Sequence, residues 1–423
     1  MHARPALLLA LALLTSAAVR AADPDPALLS AFAANRHAIR LQNGRLEGDG
    51  AKLLLDEAAK SQFFLLGEDH GAAETAQVGE AMAVALQPLG FRHIAIEAGP
   101  LTGQRLERLA REGGAPALAK FAAAYPFALP FFGWAEEQAY LAAAVRAYGP
   151  SAKRVVWGLD QEFVFSPGFH LERLGQLAKT PAAREAVRAM QERSERGARE
   201  LTATHDPSTV LMMKATPADF DALAAELPKG GEAARIIGEL KESAAIYQMW
   251  LHRQGYESNL TRSLLMKRHF VANYDEAIRA GEAKPRVLLK FGLNHLMRGR
   301  TYVDVFDLGT FLPELAARNG MQAFHVAILA RGGTVNAVTP MSTDPAADRA
   351  QHYDPLASRN FEFDAAPFLG AGDAEAWTLL DLRPLRKLLA TKAVTIDDGG
   401  ARLIWGYDAA IIIPVAHAAR TVE

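Results

Sequence analysis

The segment FFLLGEDHGAAETAQVGEAMAVALQPLGFRHIAIE, residues 63–97, decides the fold. It starts with an apolar run at residues 63–66, which Gly67 ends, and a short continuous run of this kind is typical of a buried strand. Residues 74–89 repeat apolar side chains at helical spacing, and residues 93–96 form a second apolar run. A strand, a helix and a strand within 35 residues make a βαβ unit, in which the two strands are parallel. The segment therefore predicts a parallel sheet with helices on both faces.

The rest of the chain extends this prediction to a complete α/β fold. An early helix is expected at residues 26–40, and residues 170–281 are charged and mostly of helical period, which predicts a long helical insertion. The sequence has no repeat of fixed period and no Gly/Ser-rich or Pro-rich linker. We therefore expect one domain over residues 22–423, with a mostly parallel sheet covered by helices and the insertion at about residues 170–281. Further strands are predicted at residues 153–158, 286–291, 322–329, 378–382 and 409–415.

The composition excludes several classes of protein. The 423 residues contain 46 Lys+Arg and 48 Asp+Glu and no basic stripe that would neutralise a phosphate backbone, so nucleic acid is not an expected partner. The absence of cysteine from the sequence excludes disulfides, thiolate nucleophiles and Cys-ligated metal centres. The sequence also lacks a G-x-S-x-G elbow, an H-E-x-x-H helix and a P-loop, which are the motifs of common serine hydrolases, zincins and nucleoside triphosphatases.

The first residues have the pattern of an export signal. Met1–Arg4 supplies a short positive end, Leu7–Leu14 an apolar run, and Val19 and Ala21 the small residues at positions −3 and −1 of a cleavage site. The apolar run is shorter than the roughly 20 residues that cross a bilayer. We therefore expect residues 1–21 to be a signal peptide and the mature protein to be periplasmic or secreted, without a membrane anchor.

Polar side chains follow four of the predicted strands, at the point where each strand ends. They are Glu68, Asp69 and His70 after the first strand, Glu97 after the second, Asp160 after the third, and Asn294 with His295 after the fourth. The carboxyl ends of the strands in an open parallel sheet border one crevice, which is where such folds bind ligands. These distant residues are therefore expected to meet at one site.

His70 is the candidate general base of that site. Its imidazole titrates near neutral pH, and a carboxylate bonded to one ring nitrogen would fix the tautomer and raise the basicity. Water bound to the other nitrogen could then attack an ester or amide carbonyl. His295, Asn294 or a nearby arginine could donate to the developing oxyanion. Because the sequence has no nucleophile motif, direct attack by water is preferred over an acyl-enzyme.

These residues resemble the ordered motifs of the erythromycin esterase family. The similarity spans nearly all of the predicted mature chain, and the order and spacing of the motifs carry it. The matching segments are the turn at residues 67–71 with Glu74, residues 90–97, Trp134 with Glu137, residues 158–160, Arg262 with Met266, residues 287–295, and residues 407–411.

The resemblance implies a carboxylic-ester hydrolase that acts on a small-molecule ester or lactone. On the matching positions, His70 corresponds to the general base that activates water, Glu68 and Glu97 to its acidic partners, and His295 to a second histidine of the site. No cofactor is expected for this chemistry, and no residue is assigned as a metal ligand. The side chains expected to contact substrate are Asp69, Glu74, Asp160, Asn294 and Arg262.

The chain departs from the family pattern at two positions. One residue, Asp69, separates Glu68 from His70, where the family usually has one residue more. Gly292 stands where the later motif usually carries its first histidine.

Two alternatives remain open from the sequence. The turn around His70 and the step at residues 292–295 also resemble the ChaN-like haem-binding and Tiki-type proteins of the same fold superfamily. This resemblance implies a binding protein for haem or another iron species, or a metal-dependent hydrolase on the same scaffold, so that haem or a divalent metal is the cofactor of these alternatives. For a metal, Glu68, Glu97, Asp160, His70 and His295 are plausible oxygen and nitrogen ligands. The second alternative is a non-catalytic member of the family that binds a ligand of the cell envelope. The sequence leaves substrate identity and oligomeric state open.

Overall fold

The computed structural model describes residues 25–125, 127–204, 206–336, 350–353 and 365–422. The predicted signal peptide at residues 1–21 lies outside the described residues. Within the described ranges, no helix is long and apolar enough to cross a membrane. The strands are β1 (Arg36–Ala38), β2 (Arg40–Gln42), β3 (Arg45–Glu47), β4 (Ser61–Glu68), β5 (His93–Ile96), β6 (Val156–Gly158), β7 (Val287–Gly292), β8 (Gln322–Ala330), β9 (Gly333–Asn336), β10 (Ala350–Tyr353), β11 (Thr378–Asp381) and β12 (Ala409–Ile413).

Helices make up most of the remaining described chain. They are α1 (Pro26–Ala34), α2 (Asp49–Lys60), α3 (Ala73–Leu86), α4 (Pro100–Ala124), α5 (Ala135–Tyr148), α6 (Pro167–Leu177), α7 (Pro181–Thr204), α8 (Leu211–Lys214), α9 (Pro217–Glu226), α10 (Gly231–Leu251), α11 (Gly255–Arg279), α12 (Leu293–Leu296), α13 (Leu308–Arg318), α14 (Ala366–Ala371), α15 (Arg383–Ala390) and α16 (Asp398–Gly406).

The main sheet has eight strands in the order β1-β11-β12-β8-β4-β7-β5-β6. All neighbours from β12 to β6 pair in parallel, whereas β11 and β1 are added antiparallel at one edge. The predicted α/β fold with a mostly parallel sheet is confirmed. β4 lies in the interior of the sheet and its eight residues are all buried, so the turn that follows it starts from a rigid position.

Alternate side chains of β4 pack on the two faces of the sheet. Phe64 and Leu66 belong to the larger hydrophobic core, whereas Phe63 and Leu65 belong to a second core formed with residues of α11 and α13. Successive side chains of a strand point to opposite faces, so a strand that is apolar throughout needs helices on both sides. The continuous apolar run in the sequence is thus explained by burial on both faces.

Helices α6 to α11 lie in sequence between β6 and β7, on the stretch where the helical insertion is predicted. Many of their buried side chains form a third hydrophobic core, which includes Leu174, Met212, Phe220 and Leu240. Because α11 also packs against the sheet through Met266, this helix carries side chains from the helical segment to the edge of the sheet.

The first helix is shorter than predicted. It ends at Ala34. The side-chain amide of Asn35 donates to the carbonyl oxygen of Ala31, and its backbone N–H donates to that of Phe32 instead of continuing the helix. Residues 36–38 then form β1, whose pairing with β11 completes the edge of the sheet. Tertiary pairing overrides a helical tendency here, because propensity is worth only tenths of a kcal/mol per residue.

The C-terminal segment, residues 414–422, holds the turn after β4 from outside. The amide N–H of Ala419 donates to the carbonyl oxygen of Gly71 at 2.8 Å, and the amide of Ala73 donates to that of His417 at 2.7 Å. The amide of Asn336 also donates to Gly71, at 2.9 Å. The backbone directly after His70 is therefore tied to segments that are distant in sequence.

We predict that Gly67→Ala destabilises the fold. A Cβ at Gly67 would lie 2.2 Å from the hydroxyl of the buried Tyr407, which donates to the carbonyl oxygen of Leu293 at 2.5 Å. Overpacking of this kind costs about 1–3 kcal/mol of unfolding free energy. Gly238→Ala, at a helical position with open space around it, is the control and should gain up to about 1 kcal/mol. Denaturant titration measures both variants, and equal stability for the two would contradict the packing described.

Candidate functional site

A crevice of about 140 Å³ opens at the carboxyl ends of β4, β5 and β7. The strands deliver side chains to it directly: Glu68 is the last residue of β4, Glu97 follows β5, and Gly292 ends β7. The short helix α12 then brings His295 to the same place. The residues that line the crevice are Glu68, Asp69, His70, Glu97, Gly292, Leu293, Asn294 and His295.

Carboxylates and imidazoles alternate across this crevice in one row. His70 Nδ1 lies 2.9 Å from Glu68 Oε1, and His70 Nε2 lies 3.4 Å from Glu97 Oε2. On the far side of Glu97, Oε1 lies 3.4 Å from His295 Nε2, and His295 Nδ1 lies 2.7 Å from Asp307 Oδ2. Each histidine is therefore held between an outer carboxylate and the shared carboxylate of Glu97.

Glu97 also accepts two hydrogen bonds that fix its position. The backbone N–H of Gly292 donates to Oε2 at 2.6 Å, and the guanidinium of Arg262 donates to Oε1 at 2.9 Å. Arg262 forms a bidentate pair with Asp160 through the same guanidinium, with N···O distances of 2.8 and 2.5 Å. The arginine on α11 thus anchors the carboxylates that follow β5 and β6.

Gly292 must lack a side chain for this arrangement to form. A Cβ at this position would lie 2.9 Å from His70 Nε2 and 3.3 Å from Glu97 Oε2. The imidazole of His70 therefore lies close to the place where a side chain at position 292 would start, and the glycine amide faces Glu97. This contact gives a physical reason for glycine at the second position where the chain departs from the family pattern.

Lys290 lies beneath His70, inside the sheet. Its ammonium is 2.7 Å from Glu68 and 2.6 Å from Glu137, and all three side chains are buried. Burial disfavours the charged form of Glu68, but Lys290 and His70 together lower the pKa of its carboxyl. Burial raises the pKa of Glu137 to about 7. The carboxylate that faces His70 therefore stays ionised, and the one behind it takes up a proton near neutral pH.

The row of carboxylates keeps both histidines protonated. Burial alone would lower the pKa of His70, but Glu97 and Glu68 outweigh it and raise the pKa to about 10. For His295, burial and Arg262 lower the pKa, whereas Glu97 and Asp307 raise it to about 9 overall. This differs from the expectation that one ring nitrogen of His70 faces water, because each nitrogen faces a carboxylate.

A second cavity of about 170 Å³ adjoins the crevice at Glu97. Its wall includes the chain between α4 and α5, from which Phe131 also stacks on the His70 ring with centroids 3.9 Å apart. The remaining lining combines apolar side chains with the Asp160–Arg262 ion pair. The apolar side chains that line this cavity are Leu129, Pro130, Phe131, Phe132, Phe163 and Tyr247.

The structure brings most of the predicted site residues together, but not Glu74. Its carboxylate accepts from Nδ1 of His417 at 2.6 Å and from the backbone N–H of His417 at 3.0 Å, so it fastens the C-terminal segment to the start of α3. Asp160 and Arg262 line the second cavity. The predicted residues that line the crevice itself are Glu68, Asp69, His70, Glu97, Asn294 and His295.

Sequence reasoning missed three side chains that shape the site. Lys290 is a lone cation inside an apolar strand, which is a signal that a buried carboxylate lies nearby. Asp307 precedes the apolar helix α13 and has the pattern of an N-cap, and its Oδ1 does accept from the N–H of Leu308 at 2.7 Å. Its contact with His295 has no local signal. Phe131 lies in a loop, where the sequence gives no period.

The carboxylates and histidines of the crevice are also the residues that could hold a metal. Among the described residues, no group of three or more His, Asp or Glu side chains is arranged as metal ligands. Both ring nitrogens of His70 and of His295 lie within 3.4 Å of a carboxylate oxygen. A metal ion or haem iron would have to take the place of these contacts.

Comparison with known proteins relates the chain to several solved structures. No protein family model matches it, and no curated protein matches it by sequence. A Bacillus cereus protein superimposes with a TM-score of 0.58 at 14% identity, covering 94% of this chain and 98% of that one. The open conformation of a variant of the erythromycin esterase EreC superimposes with a TM-score of 0.58 at 16% identity. The superposition covers 92% of this chain and 99% of the EreC chain. A succinoglycan biosynthesis protein superimposes with a TM-score of 0.57 at 14% identity. The superposition covers 93% of this chain and 98% of that protein. The chain therefore has the fold of these proteins over nearly its whole length.

The raised histidine pKa values predict a pH-dependent stability. A folded-state pKa of about 10 for His70, above the ordinary 6.5, contributes stability that is complete below about pH 6.5 and is lost as the pH rises through the folded value. The unfolding free energy should therefore decrease from about pH 6.5 to about pH 10, and His70→Asn should flatten this dependence. Denaturant titrations across this range measure it.

The matched control for this prediction is His252→Asn. His252 is exposed at the end of α10, where its Nδ1 lies 2.7 Å from the carbonyl oxygen of Gln248. This variant should keep the pH dependence of the parent protein. An unchanged slope in His70→Asn would mean that His70 has no raised pKa in the folded state.

Proposed function

We propose that this protein is a hydrolase in which His70 activates water for attack on an ester or lactone carbonyl. The observation that carries the proposal is the position of the imidazole, between Glu68 and Glu97 in an accessible crevice at the carboxyl ends of parallel strands. The fold shared with an erythromycin esterase supports a hydrolase of this kind. Carboxylic-ester hydrolysis is the reaction that the proposal assigns to the site.

The 3.4 Å separation between His70 Nε2 and Glu97 Oε2 marks the point of attack in this proposal. The side chains of His70 and Glu97 first move apart, so that a water molecule can take the place of Glu97 at Nε2 while Nδ1 keeps its bond to Glu68. Neutral His70 takes a proton from the water, and the oxygen forms a bond to the carbonyl carbon. The tetrahedral intermediate then collapses, the ester C–O bond breaks, and His70 returns the proton to the leaving alkoxide.

The raised pKa of His70 means that its imidazolium is the resting form near neutral pH. The side chain is 22% exposed, so the proton can leave to solvent through the crevice before attack. Once neutral, an imidazole between two carboxylates is a stronger base than a free one. Glu68 and Glu97 thus lower the fraction of His70 that is neutral and increase the basicity of the neutral imidazole.

His295 is assigned to the oxyanion. Its pKa of about 9 makes it a cation near neutral pH. In this proposal its Nε2–H, which faces Glu97 before the reaction, turns from that carboxylate to the oxyanion. Asn294 stands beside it in the crevice lining; its amide oxygen accepts from the N–H of Tyr302, which leaves its NH₂ as donor. Donors held in place before charge develops lower the barrier most effectively.

The second cavity is assigned to the apolar part of the substrate. It adjoins the crevice at Glu97, and aromatic side chains such as Phe131 and Phe163 line it. Apolar pockets with a few placed polar groups are typical small-molecule sites. We propose a small-molecule ester or lactone as substrate and, from the signal pattern at residues 1–21, action in the periplasm or outside the cell.

The proposal predicts that His70→Asn lowers kcat/KM by about 10²–10⁴-fold, which is the usual contribution of positioned acid–base catalysis. A panel of ester, lactone and amide substrates identifies the best substrate, and the variant is then assayed on it. His252→Asn should retain the parental rate. Parental activity in His70→Asn with an intact fold would remove His70 from the mechanism.

The same assay separates the metal-dependent and haem-binding alternatives. Activity that persists after exhaustive chelation supports the metal-free mechanism, whereas loss that added divalent metal restores favours a metal-dependent hydrolase. A Soret shift in a visible titration with haem, together with no hydrolysis of any panel member, would favour the haem binder.

Gly292→Ala should lower kcat/KM by roughly 10²-fold, because a Cβ 2.9 Å from His70 Nε2 must displace the imidazole. Circular dichroism and thermal unfolding should show a folded protein, since residue 292 has a φ of −51° and alanine fits this backbone. Gly238→Ala is the matched control and should keep full activity. A fully active Gly292→Ala would show that hydrolysis does not need the ring in this position.

A further inference from the structure

A second polar pocket, separate from the crevice, lies where α4, α6 and α10 meet. It has a volume of about 100 Å³. Leu101, in the first turn of α4, lines this pocket, and its neighbour Thr102 lines the second cavity of the crevice. The residues around the pocket are Leu101, Gln104, Arg105, Arg108, Phe169, His170, Arg173, Glu232, Arg235 and Ile236.

Positive charge dominates this lining. Four arginines face one carboxylate, Glu232, which forms a bidentate pair with Arg173 at 2.8 and 2.7 Å. Burial lowers the pKa of Arg105, and the like charge of Arg108 lowers it further. Glu112 and Glu172 also lie near Arg105 but do not line the pocket, and the carboxylate of Glu172 accepts a hydrogen bond from Tyr125 at 2.5 Å. The pocket therefore holds more cationic charge than its own carboxylates balance.

Arg105, which lines the pocket, has an unused donor. Its Nε is buried and has no hydrogen-bond partner among the described residues. The guanidinium carbon lies 5.1 Å from the centroid of the Phe121 ring, which holds the group in place from one side. A buried guanidinium N–H without an acceptor costs free energy. Because Nε has no exposed surface, the Arg105 side chain rotates toward a bound anion to use this donor, and the bond then removes the cost.

We propose that this pocket binds a small oxyanion, with a phosphate or dicarboxylate group held by the arginines. Guanidinium groups bind such anions through two parallel N–H···O bonds, which gives geometry as well as charge. Arg105 and Arg108 lie on α4, Arg173 on α6 and Arg235 on α10. One anion bonded to arginines from the three helices links the helical segment to α4.

The position of His170 connects the pocket to the region around the crevice. His170 lines the pocket and its Nε2 lies 3.0 Å from Glu162, which accepts from the N–H of Leu101 at 2.7 Å and from the hydroxyl of Thr102 at 2.5 Å. In this proposal an anion bound next to His170 changes the electrostatic environment of His170 and, through it, that of Glu162, the buried carboxylate that holds the first turn of α4. This role is independent of the proposed hydrolysis.

The test is a binding measurement that needs no assay of activity. Inorganic phosphate, glycerol phosphate and succinate are titrated into the protein by calorimetry and followed by thermal unfolding, with ionic strength kept constant by chloride. Saturable binding that raises the unfolding temperature is expected, because a ligand bound to the folded state stabilises it. Stronger binding of glycerol phosphate assigns an organic phosphate, equal binding assigns the free ion, and binding of succinate alone assigns a dicarboxylate.

The variants Arg105→Gln and Arg235→Gln locate the binding site. Each should weaken binding about tenfold, the loss expected for one charge-assisted hydrogen bond. Arg108 is more exposed than Arg105, so Arg108→Gln should weaken anion binding without destabilising the fold. Arg188→Gln, on the exposed face of α7, is the matched control and should bind like the parent protein. Failure of all three anions to bind, or equal affinity in the pocket variants and the control, would overturn the proposal.

Discussion

The crevice depends on the contacts that the buried carboxylate of Glu97 makes with its hydrogen-bond donors. Taking an ionised carboxylate out of water costs several kcal/mol unless hydrogen bonds and opposite charges replace the lost hydration. The N–H of Gly292, the Arg262 guanidinium and the two imidazoles provide this replacement, and each comes from a different part of the chain. The carboxylate is therefore stable only in the complete fold. For the same reason it orders the residues around it, because each donor gains most when it faces this group.

The two histidines have the same pattern of neighbours but different supports. His70 lies on a turn directly after an interior strand, and its outer carboxylate, Glu68, is held from behind by Lys290. His295 lies on a short helix, and its outer carboxylate, Asp307, is also bonded to a helix N-terminus. Carboxylates outnumber the permanently charged cations in this cluster, so protons on the histidines complete the charge balance. The site is therefore organised around shared protons, which is a suitable arrangement for acid–base chemistry.

The fold and the place of the candidate site could be predicted from the sequence for one physical reason. The spacing of apolar residues along the chain indicates which faces of each strand and helix are buried. The apolar runs around Leu65 and Leu289 identify strands buried on both faces, and parallel pairing brings the residues after them to one edge. What the sequence could not predict depends on contacts between distant segments. Nothing near Glu74 indicates that it binds the C-terminal segment, and nothing near Asp307 indicates a histidine. The protonation of His70 is also a long-range property, because it follows from carboxylates contributed by two strands.

The C-terminal segment gives the order of synthesis a role in the assembly of the site. Residues 414–422 provide acceptors and donors for the backbone around Gly71 and Ala73, and they follow every other described element in the chain. β12, which pairs with β8 and β11, is also made late. A nascent chain that has already formed β4 and α3 still lacks these bonds. The turn that carries His70 is thus fastened only after residues 414–422 have been synthesised, and chains that lack these residues would lack these backbone bonds.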